Sequence, residues 1–592
     1  PLFVVLCVFC LLSAMDKKSY CIAWLMLLFV GSLHAQYRTT TYCNPLNLDY
    51  TYPFHNSHLG KSYRSGADPA VVEFRGEYYM FVTRSWGYWH SKDLLNWDFI
   101  TPEKWYFEGC NAPAAHNYKD SILYVCGNPS GAMSILYTDN PKRGDWKAVP
   151  SVLHDLQDPA LFIDDDERAY MYWGSSNRWP IRGKELDMKN KFLPIAKKPD
   201  SLLFLRPDIH GWERFGENHT SDIKPFIEGA WMTKHNGKYY LQYAAPGTQF
   251  NVYGDGVYVG KSPLGPFEYA AHNPFCYKPG GFATGAGHGS TVCGPGGIYW
   301  HFGTIHLSIN YKFERRLCMF PTFFDEDGAM YSDTYFGDYP HYSPDQVSRQ
   351  TTSGGFRGWM LLSYGKPVKA SSQLESYPVE NVTDENLKTF WVAEKNDDKQ
   401  WVEIDLEEVS DVYALQLNFF DYEETGFWGR MPNLRQRYLV EASVDGARWR
   451  VLVDYRNSFR DAPHNYIELD QPIEARYIRY RHHYVPGKNL AMGDIRVFGL
   501  GRGKKPATVK GFTVVREADE RNARISWKAV KGAQGYNVLW GVALDKLYSS
   551  WMVYGDNSLD LRALTVGQKY YFAIEAFNEN GISQRVFLRE AH

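Results

Sequence analysis

Three acidic residues stand where chemistry could be done. Asp68 lies in Ser65-Gly66-Ala67-Asp68-Pro69-Ala70-Val71-Val72, a turn entering an apolar strand, and Asp158 repeats that setting in Leu156-Gln157-Asp158-Pro159-Ala160-Leu161-Phe162-Ile163. Glu228, in Lys224-Pro225-Phe226-Ile227-Glu228-Gly229-Ala230-Trp231, is a charge set between apolar neighbours and an aromatic. An Asp-Pro pair alone is ordinary turn chemistry, so each taken singly reads equally well as structural. Brought together, they supply what hydrolysis of a glycosidic bond requires. One carboxylate takes a proton from water, and one neutral acid protonates the leaving oxygen.

The elements that must bring them together are strands. A polar turn followed by a short aromatic strand recurs as Gly76-Glu77-Tyr78-Tyr79-Met80-Phe81, Ser121-Ile122-Leu123-Tyr124-Val125, Arg168-Ala169-Tyr170-Met171-Tyr172-Trp173, Gly237-Lys238-Tyr239-Tyr240-Leu241 and Gly297-Ile298-Tyr299-Trp300-His301-Phe302. Helical periodicity is nearly absent, and Pro and Gly punctuate short alternating runs. A plain β-sandwich shares that local texture. The repeat, at roughly 45 to 70 residues, matches a four-stranded propeller blade. Each acidic residue precedes a different copy, so in a propeller each belongs to a different blade and the three converge on the axis at one face. The expected class is all-β: a five-bladed β-propeller over residues 36–345, a connector over 346–362 and, as the downstream resemblances given below imply, a jelly roll over 363–500 and a β-sandwich over 506–592.

Composition narrows the partner. Net charge is −3 over 592 residues, which offers no basic field for nucleic acid or anionic lipid. Aromatic content is 16%, with 19 Trp and 43 Tyr, and flat rings suit both core packing and stacking on a sugar face. Met15, Asp16-Lys17-Lys18, the apolar run Cys21 to Val30 and Gly31-Ser32-Leu33-His34-Ala35 read as a signal peptide cleaved after Ala35. Residues 1–14 read as an over-extended start, and the expected product is secreted or periplasmic with no membrane span in its mature form. No CxxC pair follows the leader, which argues against zinc.

With these residues in view, 60–335 resembles glycoside hydrolase family 43, a five-bladed propeller group of α-L-arabinofuranosidases, β-xylosidases and arabinanases. The resemblance is carried by Ala67-Asp68-Pro69, Gln157-Asp158-Pro159-Ala160, Ile227-Glu228-Gly229 and Gly287-His288-Gly289-Ser290. It implies Asp68 as general base, Glu228 as general acid and Asp158 as the group that orients that acid and keeps its proton on, with inversion at the anomeric carbon. It also implies that His288 lines the central channel, near or on a calcium ion, although a lone His is more often simply packed. No cofactor is expected to be required. Arg315 resembles the arginine that reaches the sugar, with Arg316 on the opposite strand face. Trp86, Trp89 and Trp231 are candidates for a stacking wall, or for blade cores. The run Asp164-Asp165-Asp166-Glu167 lacks the glycine and distal glutamate of a calcium loop and reads as a hairpin tip.

Two further resemblances follow downstream. Lys369-Ala370-Ser371-Ser372, Phe390-Trp391, Trp401-Val402-Glu403-Ile404-Asp405-Leu406 and Asp494-Ile495-Arg496-Val497-Phe498-Gly499 resemble a discoidin-type (coagulation factor 5/8 type C) jelly roll, with the aromatic-rich 421–428 loop as its candidate glycan contact. Ile525-Ser526-Trp527, Gly535-Tyr536-Asn537-Val538 and Tyr570 resemble a fibronectin type III spacer, with Trp527 in its core and Tyr570 as the tyrosine corner. The implied activity is exo-acting release of terminal L-arabinofuranose, or D-xylose, from plant polysaccharide. The competing reading is a carbohydrate-binding protein without turnover.

Overall fold

The computed structural model describes residues 39–53, 60–128, 132–151, 153–154, 156–347 and 355–588. The expected signal peptide lies outside the described residues. Among them the only helical elements are 3-10 turns of three or four residues, and no helix is long and apolar enough to cross a membrane.

Five antiparallel sheets form the propeller. Their inner strands are Ala70–Phe74, Asn111–Tyr118, Ala160–Ile163, Glu228–His235 and Gly287–Cys293. Each packs beside the next, and the fifth returns against the first, which closes the ring. The repeated aromatic phrase is the second strand of every blade: Glu77–Phe81, Ile122–Asn128, Ala169–Trp173, Lys238–Ala245 and Tyr299–His306. Those aromatics fill the space between blades. Tyr79 and Phe81 pack with Tyr88 and Trp146 in one such cluster, and Trp300 and Phe302 with Trp89 in another.

One local device recurs in all blades. Moving outward from the regular ladder, the inner strand slips by one residue against its neighbour. Ala70 pairs with Phe81 but Thr83 N–H donates to the Ala67 carbonyl, and Ala160 pairs with Tyr172 but Gly174 N–H donates to Gln157. The same slip separates Asn111 from Ala114, Glu228 from Trp231 and Gly287 from Ser290. The residue responsible has left-handed backbone in every case: Asp68 (φ 56°), Ala112 (42°), Asp158 (49°), Gly229 (67°) and His288 (50°). A bulge of this kind bends the strand and re-aims the adjoining side chains. Outside glycine such backbone costs about 1–3 kcal/mol per residue and persists where the surroundings enforce it.

The second domain is an eight-stranded sheet system whose longest strands, Trp401–Phe419 and His464–Tyr484, bend through register shifts. Its sheet starts earlier than the sequence suggests. Met360–Leu361, inside the stretch expected to be a connector, pairs with Phe498 and Gly499 because its apolar side chains are buried there. The third domain is a sandwich of three- and five-stranded sheets over Lys510–Leu588. Trp527 is buried in it, and the Tyr570 hydroxyl accepts the Thr565 amide at 3.2 Å. It is not a free spacer: Gly211 N–H donates to Leu564, Arg521 donates to the Pro207 carbonyl at 2.6 Å, and its apolar residues share one cluster with the third and fourth blades. A buried ion pair, Arg496–Glu385 at 2.7 Å, anchors the jelly roll, with Arg496 also donating to the propeller's Asp338 carbonyl at 2.6 Å.

Candidate active site

The five bulges converge on one cavity of about 590 Å³, lined by residues that include Asp68, Asn111, Ala112, Asp158, Glu228 and His288. These come in two sets. Asp68, Ala112, Asp158 and His288 are the left-handed residues themselves, whereas Asn111 and Glu228 immediately precede one. Gly229 sits in a tight place: a Cβ there would lie 3.0 Å from His288 and 3.1 Å from Ala244.

Asp68 is 7% exposed. Thr83 donates to its Oδ2 at 2.6 Å, and its own amide donates to Thr304 at 2.9 Å. Arg315 stands 3.5 Å and His288 3.4 Å from its Oδ1. Burial opposes ionisation, but the nearby Arg315 and His288 cations and the Thr83 hydroxyl outweigh it and hold the carboxyl below its ordinary range. Asp68 is therefore a carboxylate. Asp158 is the reverse case. Burial pushes it up to about 7, with the Glu228 and Asp68 charges adding to the shift while His288, at 3.8 Å, and Ser175 oppose it. Glu228 is gripped at both oxygens: Ser175 donates to Oε2 at 3.0 Å and Tyr253 to Oε1 at 2.7 Å.

His288 pays desolvation on entering this cluster, but the surrounding carboxylates of Asp68, Asp158, Glu228 and Asp255 raise its pKa above the ordinary value. Its backbone is held from behind. The fully buried Asp255 accepts the amides of His288 at 2.7 Å and Gly289 at 2.9 Å, and pairs with His301 at 3.1 Å.

The ligand atoms of Asp158, Glu228 and His288 lie within 4.8 Å of one another, so a cation could be considered there. The donor set does not fit calcium, which takes six to eight oxygens. Here two carboxyl groups, one inclined to keep its proton, face an imidazole inclined to carry charge.

Arg315 lines the cavity and also reaches Thr248 at 3.4 Å, while Arg316 turns away to His464 at 2.8 Å, as strand alternation requires. The tryptophans fall elsewhere. Trp231 packs against the first interblade cluster and donates to the Thr291 carbonyl at 3.3 Å, and Trp89 is buried core. Trp86 packs edge to face on Trp428 of the jelly roll, 5.2 Å between centroids. None of the three lines the cavity, whose aromatic wall is Tyr311 and Phe313. The acidic run forms the turn between Ala160–Ile163 and Ala169–Trp173, with Asp164 accepting the Tyr239 hydroxyl at 2.6 Å and pairing with Lys234.

Sequence reasoning missed Thr83, Asn111, Ser175, Thr248 and Tyr253. One of these had a signal. Asn111-Ala112-Pro113 carries proline where Ala67-Asp68-Pro69 and Gln157-Asp158-Pro159 do, so it marks the second blade's bulge. The hydroxyl residues follow no local pattern.

The fold and site thus define a five-bladed propeller with a clustered carboxylate pocket on its axis. Residues 63–330 match the model for glycosyl hydrolases family 43, and residues 367–492 match that for the F5/8 type C domain. The chain carries a glycosyl hydrolase family 43 domain followed by an F5/8 type C domain. It is 33% identical over 133 residues to a beta-xylosidase of Xylanibacter ruminicola, covering 19% of this chain and 39% of that protein. It is 25% identical over 331 residues to an arabinoxylan arabinofuranohydrolase of Bacillus subtilis (strain 168), covering 45% and 60%. The chain therefore spans between about two-fifths and three-fifths of these relatives' length. A solved thermostable family-43 glycoside hydrolase aligns over 52% of this chain and all of its own, at 21% identity and TM-score 0.42.

Proposed function

We propose that this chain is an exo-acting, inverting glycoside hydrolase that releases terminal L-arabinofuranose, or D-xylose, from plant cell-wall polysaccharide. The observation that carries this reading is the meeting of Asp68, Asp158 and Glu228 in one pocket, with Asp68 held ionised by Arg315, His288 and Thr83 and both oxygens of Glu228 gripped by Ser175 and Tyr253. One ionised carboxylate and a second, separately positioned carboxyl group are what inverting hydrolysis needs.

Asp68 is the base. Its Oδ2 is fixed by Thr83 and its Oδ1 faces Arg315 and His288, so it meets water or a sugar hydroxyl already oriented. Glu228 is the acid, aimed by Tyr253 and Ser175. Asp158 stands beside Glu228 in the pocket and orients it, and Glu228 gives its proton to the leaving oxygen. His288, set among these carboxylates, stabilises the charge that remains. A carbohydrate-binding protein without turnover gains nothing from such a costly cluster.

The beta-xylosidase name of one relative favours the D-xylose alternative. A polymer that cannot enter cells fits export, and hence a secreted or periplasmic protein. We read the C-terminal sandwich as a fibronectin type III unit, on the Tyr570 corner and the buried Trp527. Hydrolysis of nitrophenyl α-L-arabinofuranoside and β-D-xyloside tests the function. Glu228→Gln should abolish release from natural linkages while sugar binding persists, and unchanged turnover would exclude Glu228 as the acid.

A further inference from the structure

The F5/8 type C domain does not hang free of the catalytic domain. Its 421–431 loop is bound to the propeller's N-terminal segment by paired backbone bonds, Gly429 to Tyr52 at 2.7 Å and Tyr52 to Gly429 at 3.1 Å. Ser62 adds three more, to Glu424 at 2.7 Å and with Phe427 at 2.8 and 3.0 Å. Beneath them the buried Arg64 joins Asp421 at 2.9 Å and Asp461 at 2.5 Å. Two desolvated carboxylates on one guanidinium make this a fixed contact, since separation would strand the charges.

The loop presents Trp428, 48% exposed, crossing Trp86 at 84°. Gly429 permits that approach: a Cβ there would come within 3.0 Å of the Trp86 ring. The Trp86 indole N–H is buried and finds no acceptor among the described residues, and its backbone is left-handed (φ 65°). Two routes tie this pair to the cavity. Arg84, two residues before Trp86, lines it, and two residues of chain reach at most about 7 Å. Tyr63, next to the loop-binding Ser62, packs 5.8 Å from Tyr311, which is also cavity wall.

We infer that Trp428, held by Trp86, is an aglycone subsite: it stacks on a neutral pyranose ring of the polymer from which the terminal sugar is cut. The occupant follows from the chemistry. A flat apolar face takes the C–H face of a sugar, and Trp86 beneath it follows the cavity-lining Arg84 by two residues. The jelly roll on this account is part of the catalytic cleft and not a remote tether. The inference rests on the glycosidase reading proposed above.

The test compares Trp428→Ala with wild type on two substrates sharing one terminal sugar: a branched xylo-oligosaccharide, and the glycosyl fluoride, whose leaving group has no ring. The ratio of kcat/KM on oligosaccharide to that on fluoride should fall about five- to tenfold, with the loss in KM, and Trp428→Tyr should restore most of it. An unchanged ratio, whether from no loss on either substrate or from equal loss on both, would overturn the subsite while leaving the glycosidase reading intact. A wild-type protein inactive on both substrates would overturn both.

Discussion

Replacing Thr83 by Val removes the shortest hydrogen bond to the base while leaving its charge partners in place. The Thr83 hydroxyl donates to Asp68 Oδ2 at 2.6 Å and accepts the Ala112 amide at 2.8 Å, so it links the first two bulges. Asp68 is buried, and burial alone would raise its pKa. It stays below the ordinary carboxylate range only because Arg315, His288 and Thr83 together overcome that cost. A hydrogen bond to a charged group contributes about 1.5–3 kcal/mol, and one pKa unit is about 1.4 kcal/mol. Losing it should raise the pKa of Asp68 by about one to two units. Because the base acts ionised, the acid limb of kcat/KM against pH should move upward by that amount. Activity should therefore fall most under acidic conditions and least near neutrality. Thr83→Ser, which keeps the hydroxyl, should leave the limb in place and separates this effect from the cost of stranding the Ala112 amide. An acid limb that does not move in Thr83→Val, or a loss equal at every pH, would refute Asp68 as the base that the limb reports.

Two further predictions concern stability. Asp158 is raised from 3.8 to about 7, so the native state holds a proton that the unfolded chain releases, and its contribution worsens as pH rises between those values. Asp158→Asn should thus gain thermal stability over wild type at about pH 8 and little at about pH 5, while losing turnover; an advantage independent of pH would contradict the assignment. Glu385→Ala leaves the buried Arg496 without its carboxylate and should cost about 3–5 kcal/mol in denaturant unfolding, with Arg496→Met added to it recovering much of that. Loss of no more than a surface pair would show that the ion pair is not desolvated.

Much of this arrangement was legible before any coordinates. Asp68 and Asp158 announced themselves because the bulge that aims them needs a residue tolerant of left-handed backbone, and Asp is one, followed by a proline that starts the strand. Arg315 came from the family resemblance, and alternation along Arg315–Phe324 required only that Arg316 face the other way. What stayed hidden depends on ring closure. Thr83, Ser175, Thr248 and Tyr253 come from the loops that follow the second strands of the first, third and fourth blades, and no spacing within one segment says that their hydroxyls will meet Asp68, Glu228 or Arg315. The tryptophans misled for a related reason: interblade packing consumes large aromatics, and Trp89 and Trp231 went there. Trp86 could not be read at all from its own domain, since its partner Trp428 lies far along the chain. The jelly roll's early start was obscured because Met360–Leu361 is too short to show a period.

The central claim is a single displacement, with water activated by Asp68 and the leaving oxygen protonated by Glu228. The most direct test is proton NMR of the sugar released by the wild-type protein, read before mutarotation. Direct displacement predicts that the first anomer formed has configuration opposite to that of the bond cleaved. A first anomer of the same configuration would require a glycosyl-enzyme intermediate and would contradict the roles given to both carboxylates.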